Sequence, residues 1–170
     1  AAMAALHEPP QAPPNLVTPT GEPIVSEPPE ETPRLRAKLE GDVTLEAAIV
    51  QNTGGPSEPT LSVELDWKLA SHVERGLGVF IHVEGDGMDT LNIDHVRISG
   101  AAPLESLPLD VTLRDVVPPI AVPVPKKKTE IHVYVGLWRA RGDGKRLHVL
   151  DSAGAVINDD RIQVATFTLP

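Results

Sequence analysis

Six histidines, His7, His72, His82, His95, His132 and His148, are the first residues in this chain whose chemistry asks for a use. Imidazole can ligate metal ions and can exchange a proton near neutral pH. No two of them stand at metal-ligand spacing on one element. A metal site would have to be assembled across strands, with His82 and His132 as the pair to consider. Strand histidines otherwise serve as surface or hydrogen-bonded residues. The segment EGDGMDTLNID offers Glu84, Asp86, Asp89 and Asp94, oxygen ligands of the kind calcium prefers. It lacks EF-hand spacing and reads first as a solvated hairpin tip. Arg141-Gly142-Asp143 displays a charged pair on what is first of all good turn chemistry. Lys126-Lys127-Lys128 is shorter than the clusters that bind anionic lipid, and beside a strand edge lysines discourage edge-to-edge association. There is no G-x-S-x-G, no glycine-rich phosphate loop and no H-E-x-x-H. No paired carboxylates or triad stand out either. The expectation is a protein that is not an enzyme and has no cofactor.

A face carries more information than any single residue. In EIHVYVGLW, Ile131, Val133, Val135 and Leu137 form an apolar set that must face a core. His132, Tyr134 and Trp138 then point the other way. In LGVFIHVE the core set is Val79, Ile81 and Val83, which sends Phe80 and His82 outward. If these strands are neighbours, Phe80, His82, His132, Tyr134 and Trp138 form one aromatic-histidine patch on an outer sheet face. The whole chain has two Phe, two Trp and one Tyr, so three of the five aromatics would share one face. Such a patch marks a partner or ligand surface, unless a loop or the chain's own tail covers it.

The elements that must hold this patch read as strands. In TLSVELDWKL, Leu61, Val63, Leu65, Trp67 and Leu69 alternate with Ser62, Glu64, Asp66 and Lys68, the period of a half-buried strand. VTLEAAIV puts Val43, Leu45, Ala47 and Ile49 on one side. Further strands are predicted over 77–84, 90–98, 109–116, 130–138, 145–150 and 161–169. In the last of these Ile162 and Val164 share one parity and Phe167 and Leu169 the other, so a bulge near Ala165 is needed. RGDGK reads as a hairpin turn, and VPPIAVPVP as an edge or crossover segment, because proline donates nothing to a ladder. About eight short strands, frequent turns and no convincing helix predict an all-β, antiparallel, immunoglobulin-like β-sandwich over residues 41–170.

Residues 1–40 read differently. Nine of the chain's 18 prolines precede Ala37, with five glutamates and no basic residue before Arg34. Such a segment buries too little to offset its ordering entropy and favours extended polyproline II. It is expected to be a linker or a docking arm, ordered when a partner supplies the contacts. Zero cysteines remove disulfides, thiolate metal sites and a lipidated cysteine anchor. A net charge of -9 and a pI of about 5.1 argue against nucleic acid and anionic membrane surfaces as partners. No apolar run approaches the ~20 residues of a membrane-spanning helix. The alanine-rich start, AAMAAL, is compatible with a removed export leader.

Trp67, VFIHVEGDG at Val79–Gly87, Asp94-His95, Asp115, VGLW at Val135–Trp138 and the DDRIQVATFTL ending stand in a shared pattern. It resembles exported bacterial β-sandwich domains, found as the terminal periplasmic domain of membrane glycosyltransferases and in periplasmic proteins of unassigned role. The likeness covers roughly residues 60–169, but where such domains carry Pro-Gly this chain has Lys126–Glu130. The resemblance implies a sandwich in an extracytoplasmic, membrane-peripheral setting and supplies no catalytic residues. The expected function is a non-catalytic structural or interaction subunit of a membrane-associated assembly of protein subunits, with the tail as docking arm. A carbohydrate-binding module, stacking sugars on Tyr134 and Trp138, is the alternative.

Overall fold

The computed structural model describes residues 16–25, 27–157 and 159–170. Two antiparallel sheets share one core. The first contains β1 (Ala37–Leu39), β2 (Val43–Asn52), β3 (Thr60–Leu69), β8 (Thr112–Ala121) and β10 (Val149–Leu150), in the order β10-β1-β2-β3-β8. The second contains β4 (Leu77–Gly85), β5 (Leu91–His95), β9 (Thr129–Arg139) and β11 (Ile162–Leu169), in the order β11-β9-β4-β5. A two-residue pair, β6 (Arg97–Ile98) with β7 (Ala102–Pro103), and one 3-10 turn at Leu104–Ser106 fill the connection between β5 and β8. The fold is thus the all-β antiparallel sandwich expected from the alternating pattern, and among the described residues no helix is long and apolar enough to cross a membrane.

Parity places the core. Leu61, Val63, Leu65, Trp67 and Leu69 from β3 meet Val79, Ile81 and Val83 from β4 and Ile131, Val133, Val135 and Leu137 from β9, all essentially solvent-free. Period two fails where a bulge intervenes. The β2–β3 register shifts between Leu45 and Ala47, so Ala48 and Val50, rather than Ile49, pack against the core. The bulge predicted near Ala165 lies between Gln163 and Ala165. Asp66, on the outward side of β3, is nevertheless buried. Its directly paired neighbour Arg114 grips it with Nε and Nη2 at 3.0 and 3.1 Å, the two-pronged geometry that compensates a desolvated carboxylate.

Three predicted strands are drawn differently. Residues 90–98 split at Val96 into β5 and β6. The strand predicted to end at Val116 continues through Pro118 and Pro119 to Ala121. It tolerates them because β8 is the sheet edge, the position expected for the proline-rich passage. The predicted 145–150 strand pairs with β9 only around Arg146 and Leu147, then crosses to the other sheet as β10 against β1.

The division at residue 40 does not mark where packing begins. β1 belongs to the first sheet, and residues 16–25 form a strap on the sandwich. A turn at Thr18–Glu22, with Gly21 at φ 89°, returns the chain so that Ile24 N–H donates to the Leu16 carbonyl. Ile24 is 1% exposed and sits in the core. Its carbonyl accepts from Arg114 N–H at 2.6 Å, and Val25 bridges to Leu113. This stretch is therefore held against its own sandwich. Residues 1–15 of the expected docking arm lie outside the described residues.

Candidate functional site

β4 and β9 are direct neighbours, so the five predicted patch residues do share the outer face of one sheet. The register makes a checkerboard along this face. Trp138 stands opposite Gly78, Phe80 opposite Gly136, His82 opposite Tyr134 and Glu84 opposite His132. The glycines are required by the rings. A Cβ at Gly136 would collide with the Phe80 ring, and one at Gly78 would approach the Trp138 Nε1 to 2.6 Å. Each aromatic ring thus occupies the space its partner's missing side chain leaves.

The patch is not an open aromatic platform, because the loop between β10 and β11 and the return from β9 lay two arginines on it. Arg146 places its guanidinium 4.6 Å from the Phe80 ring centroid, and Phe80 is only 2% exposed. Arg161 lies 3.7 Å from the Tyr134 centroid. A guanidinium over a ring face is favourable by about 0.5–2 kcal/mol depending on desolvation. Arg161 is anchored by Glu84 at 2.6 Å and Asp159 at 3.0 Å. Arg146 has no carboxylate within ion-pair distance among the described residues. Its Nη2 donates instead to His82 Nδ1 at 3.4 Å. Burial, and next the charge of Arg146, hold the His82 pKa below its ordinary value, so the ring is a neutral acceptor. His132 is tied to Glu130 at 3.1 Å and stands 3.3 Å from the Thr166 hydroxyl.

Arginines reach this face from segments with no periodicity linking them to β4 or β9, so sequence parity gave no sign of them. The other residues singled out are dispersed. His148 pairs with Asp160 at 2.9 Å, Lys127 with Asp86 at 3.0 Å, and Arg141 lies in the turn after β9. Among the described residues no three histidines or carboxylates converge to hold a metal ion. His95 and Asp115 do converge, at 2.6 Å, on the far edge of the sandwich. The outer face offers a partly buried indole and phenol, and an arginine with no carboxylate within ion-pair distance among the described residues. No protein-family model matches this chain, and no curated protein does.

Proposed function

We propose that this chain is a non-catalytic interaction module that docks onto a protein partner through the outer face of the β11-β9-β4-β5 sheet. The observation that carries this reading is the gathering of Tyr134, Trp138, Arg146 and Arg161 on one face, with both guanidiniums stacked in place. Trp, Tyr and Arg are the residues that dominate binding energy at protein interfaces, and side chains already fixed lose little entropy on docking. Arg146 favours a partner that brings a carboxylate to this face. The resemblance to exported sandwich domains supports an extracytoplasmic, membrane-peripheral assembly as the setting, with the proline-rich N-terminus as a supplementary docking arm. Stacking of sugars is the weaker reading, since one face of Phe80 and one of Tyr134 already carry a guanidinium.

The test is retrieval from detergent-solubilised native membranes by the full chain and by an Arg146→Glu, Trp138→Ala variant. A defined set of subunits retained by the former and lost by the latter is expected, with unchanged circular dichroism. Equal retrieval by both would remove this face from the interface. Saturable glycan binding that Trp138→Ala abolishes would favour the carbohydrate module instead.

A further inference from the structure

The sandwich has a second place where polar groups are assembled at some cost. It lies where the connection after β5 meets the edge strand β8. A cavity of about 370 Å³ opens there, walled by Val96, Gly100, Val116 and Pro118, with His95 and Arg97 as the polar groups beside them. Val96 and Val116 are 38% and 42% exposed, so the apolar lip faces solvent.

Behind the wall Asp115 is 1% exposed and both of its oxygens are used. Oδ1 accepts the Ser99 backbone N–H at 2.8 Å, and Oδ2 faces His95 Nε2 at 2.6 Å. Ser99 reaches that position with φ 49°, a left-handed conformation unusual for a non-glycine residue. Its hydroxyl donates to the Arg114 carbonyl and accepts from Val116 N–H, both at 2.7 Å. The serine is thus consumed in shaping the backbone and is no nucleophile. The result of this framework is one imidazole in a fixed orientation, Nε2 turned to Asp115. Its Nδ1 has no hydrogen-bond partner among the described residues. Arg97 donates to the Ala101 carbonyl at 2.9 Å and meets no carboxylate among them.

We infer that this cavity binds a carboxylate borne on a small branched or aromatic apolar group. The apolar group fills the space between Val96, Val116 and Pro118. The carboxylate accepts from the Arg97 guanidinium at the polar side of the cavity, next to the His95 ring that Asp115 holds in place. A cavity of this size suits a ligand of a few to a dozen or so heavy atoms. A free acid and the C-terminus of a peptide ending in leucine share this chemistry.

The experiment uses the full chain and follows amide shifts on titration with isovalerate, phenylacetate and Gly-Gly-Leu, each beside its uncharged amide. Saturable shifts at Val96, Gly100 and Val116 are expected for an acid. The amide should bind at least about tenfold more weakly, the loss of one charge-assisted contact. Binding by the free acids assigns a small-molecule site. Binding by the peptide acid alone assigns a chain terminus. Val116→Glu places a repelling charge on the exposed lip without touching the core and should abolish the shifts, and Arg97→Ala should weaken them. No saturable shift with any acid, equal binding of acid and amide, or indifference to Val116→Glu would overturn the inference. The His95–Asp115 pair would then be a staple between the sheet edges and nothing more.

Discussion

His82 lies within β4 and His148 immediately precedes β10, and their surroundings drive them in opposite directions. His82 is partly buried beside Arg146, with Asp94 and Glu84 opposing and Arg161 assisting, and its pKa falls below the ordinary 6.5. His148 accepts no such burden. Its hydrogen bond to Asp160, and then that carboxylate's charge, raise its pKa above 6.5. The signs for stability follow from linkage. The neutral His82 ring favours the fold fully above 6.5, and that contribution is lost as pH falls through its lowered folded value. The His148 contribution is full below 6.5 and is lost as pH rises through its raised folded value. Titration of the imidazole proton resonances should therefore find His148 protonating before His82 on acidification. Arg146→Ala should move His82 upward toward 6.5 by removing the second-largest cause of its depression. A reversed order, or an unmoved His82 in the variant, would mean that Arg146 does not sit over this face in solution.

At the scale of elements, strand parity was legible wherever a strand alternates without interruption. β3, β4 and β9 could be read residue by residue, whereas the adjacency that brings His82 beside Tyr134 was a condition of that reading which only the strand register supplies. Parity cannot show what arrives from elsewhere in the chain, and so the arginine cover on Phe80 was not legible. The strap was hidden for a related reason. Pro23-Ile24-Val25 has too few residues to display a period, and prolines around it suggest a segment without a core. An extended chain can still complete another strand's edge, because that takes carbonyls and one well-placed apolar side chain. Ile24 supplies both. Truncating a buried isoleucine to alanine costs about 2–5 kcal/mol. Ile24→Ala should accordingly lower the unfolding midpoint by roughly 5 °C or more, at about 2–4 °C per kcal/mol for a chain of this size. Thermal unfolding followed by circular dichroism checks this. A midpoint unchanged from the parent would mean that the strap is not docked.

For the whole molecule, the strap also decides whether the sandwich stays to itself. A sandwich, unlike a closed barrel, has strand edges to manage. On β8 the run after Val117 is blunted by Pro118 and Pro119, which cannot donate to a new ladder. The stretch around Leu113 and Arg114 has no such device and is covered by Ile24 and Val25. Deleting residues 1–25 should uncover this edge together with the space Ile24 fills, leaving a short template beside an apolar hole. The net charge of -9 resists association of two such chains, but charge acts only within about 8 Å at physiological ionic strength. Size-exclusion chromatography with light scattering should therefore show the truncated chain forming heavier species than the full chain. Their fraction should rise with concentration and with added salt, and Ile24→Ala in the full chain should show the same trend more weakly. If the truncated chain keeps the mass of the full chain at every concentration and salt, the edge is protected by β8 itself. The strap's role would then be confined to stability.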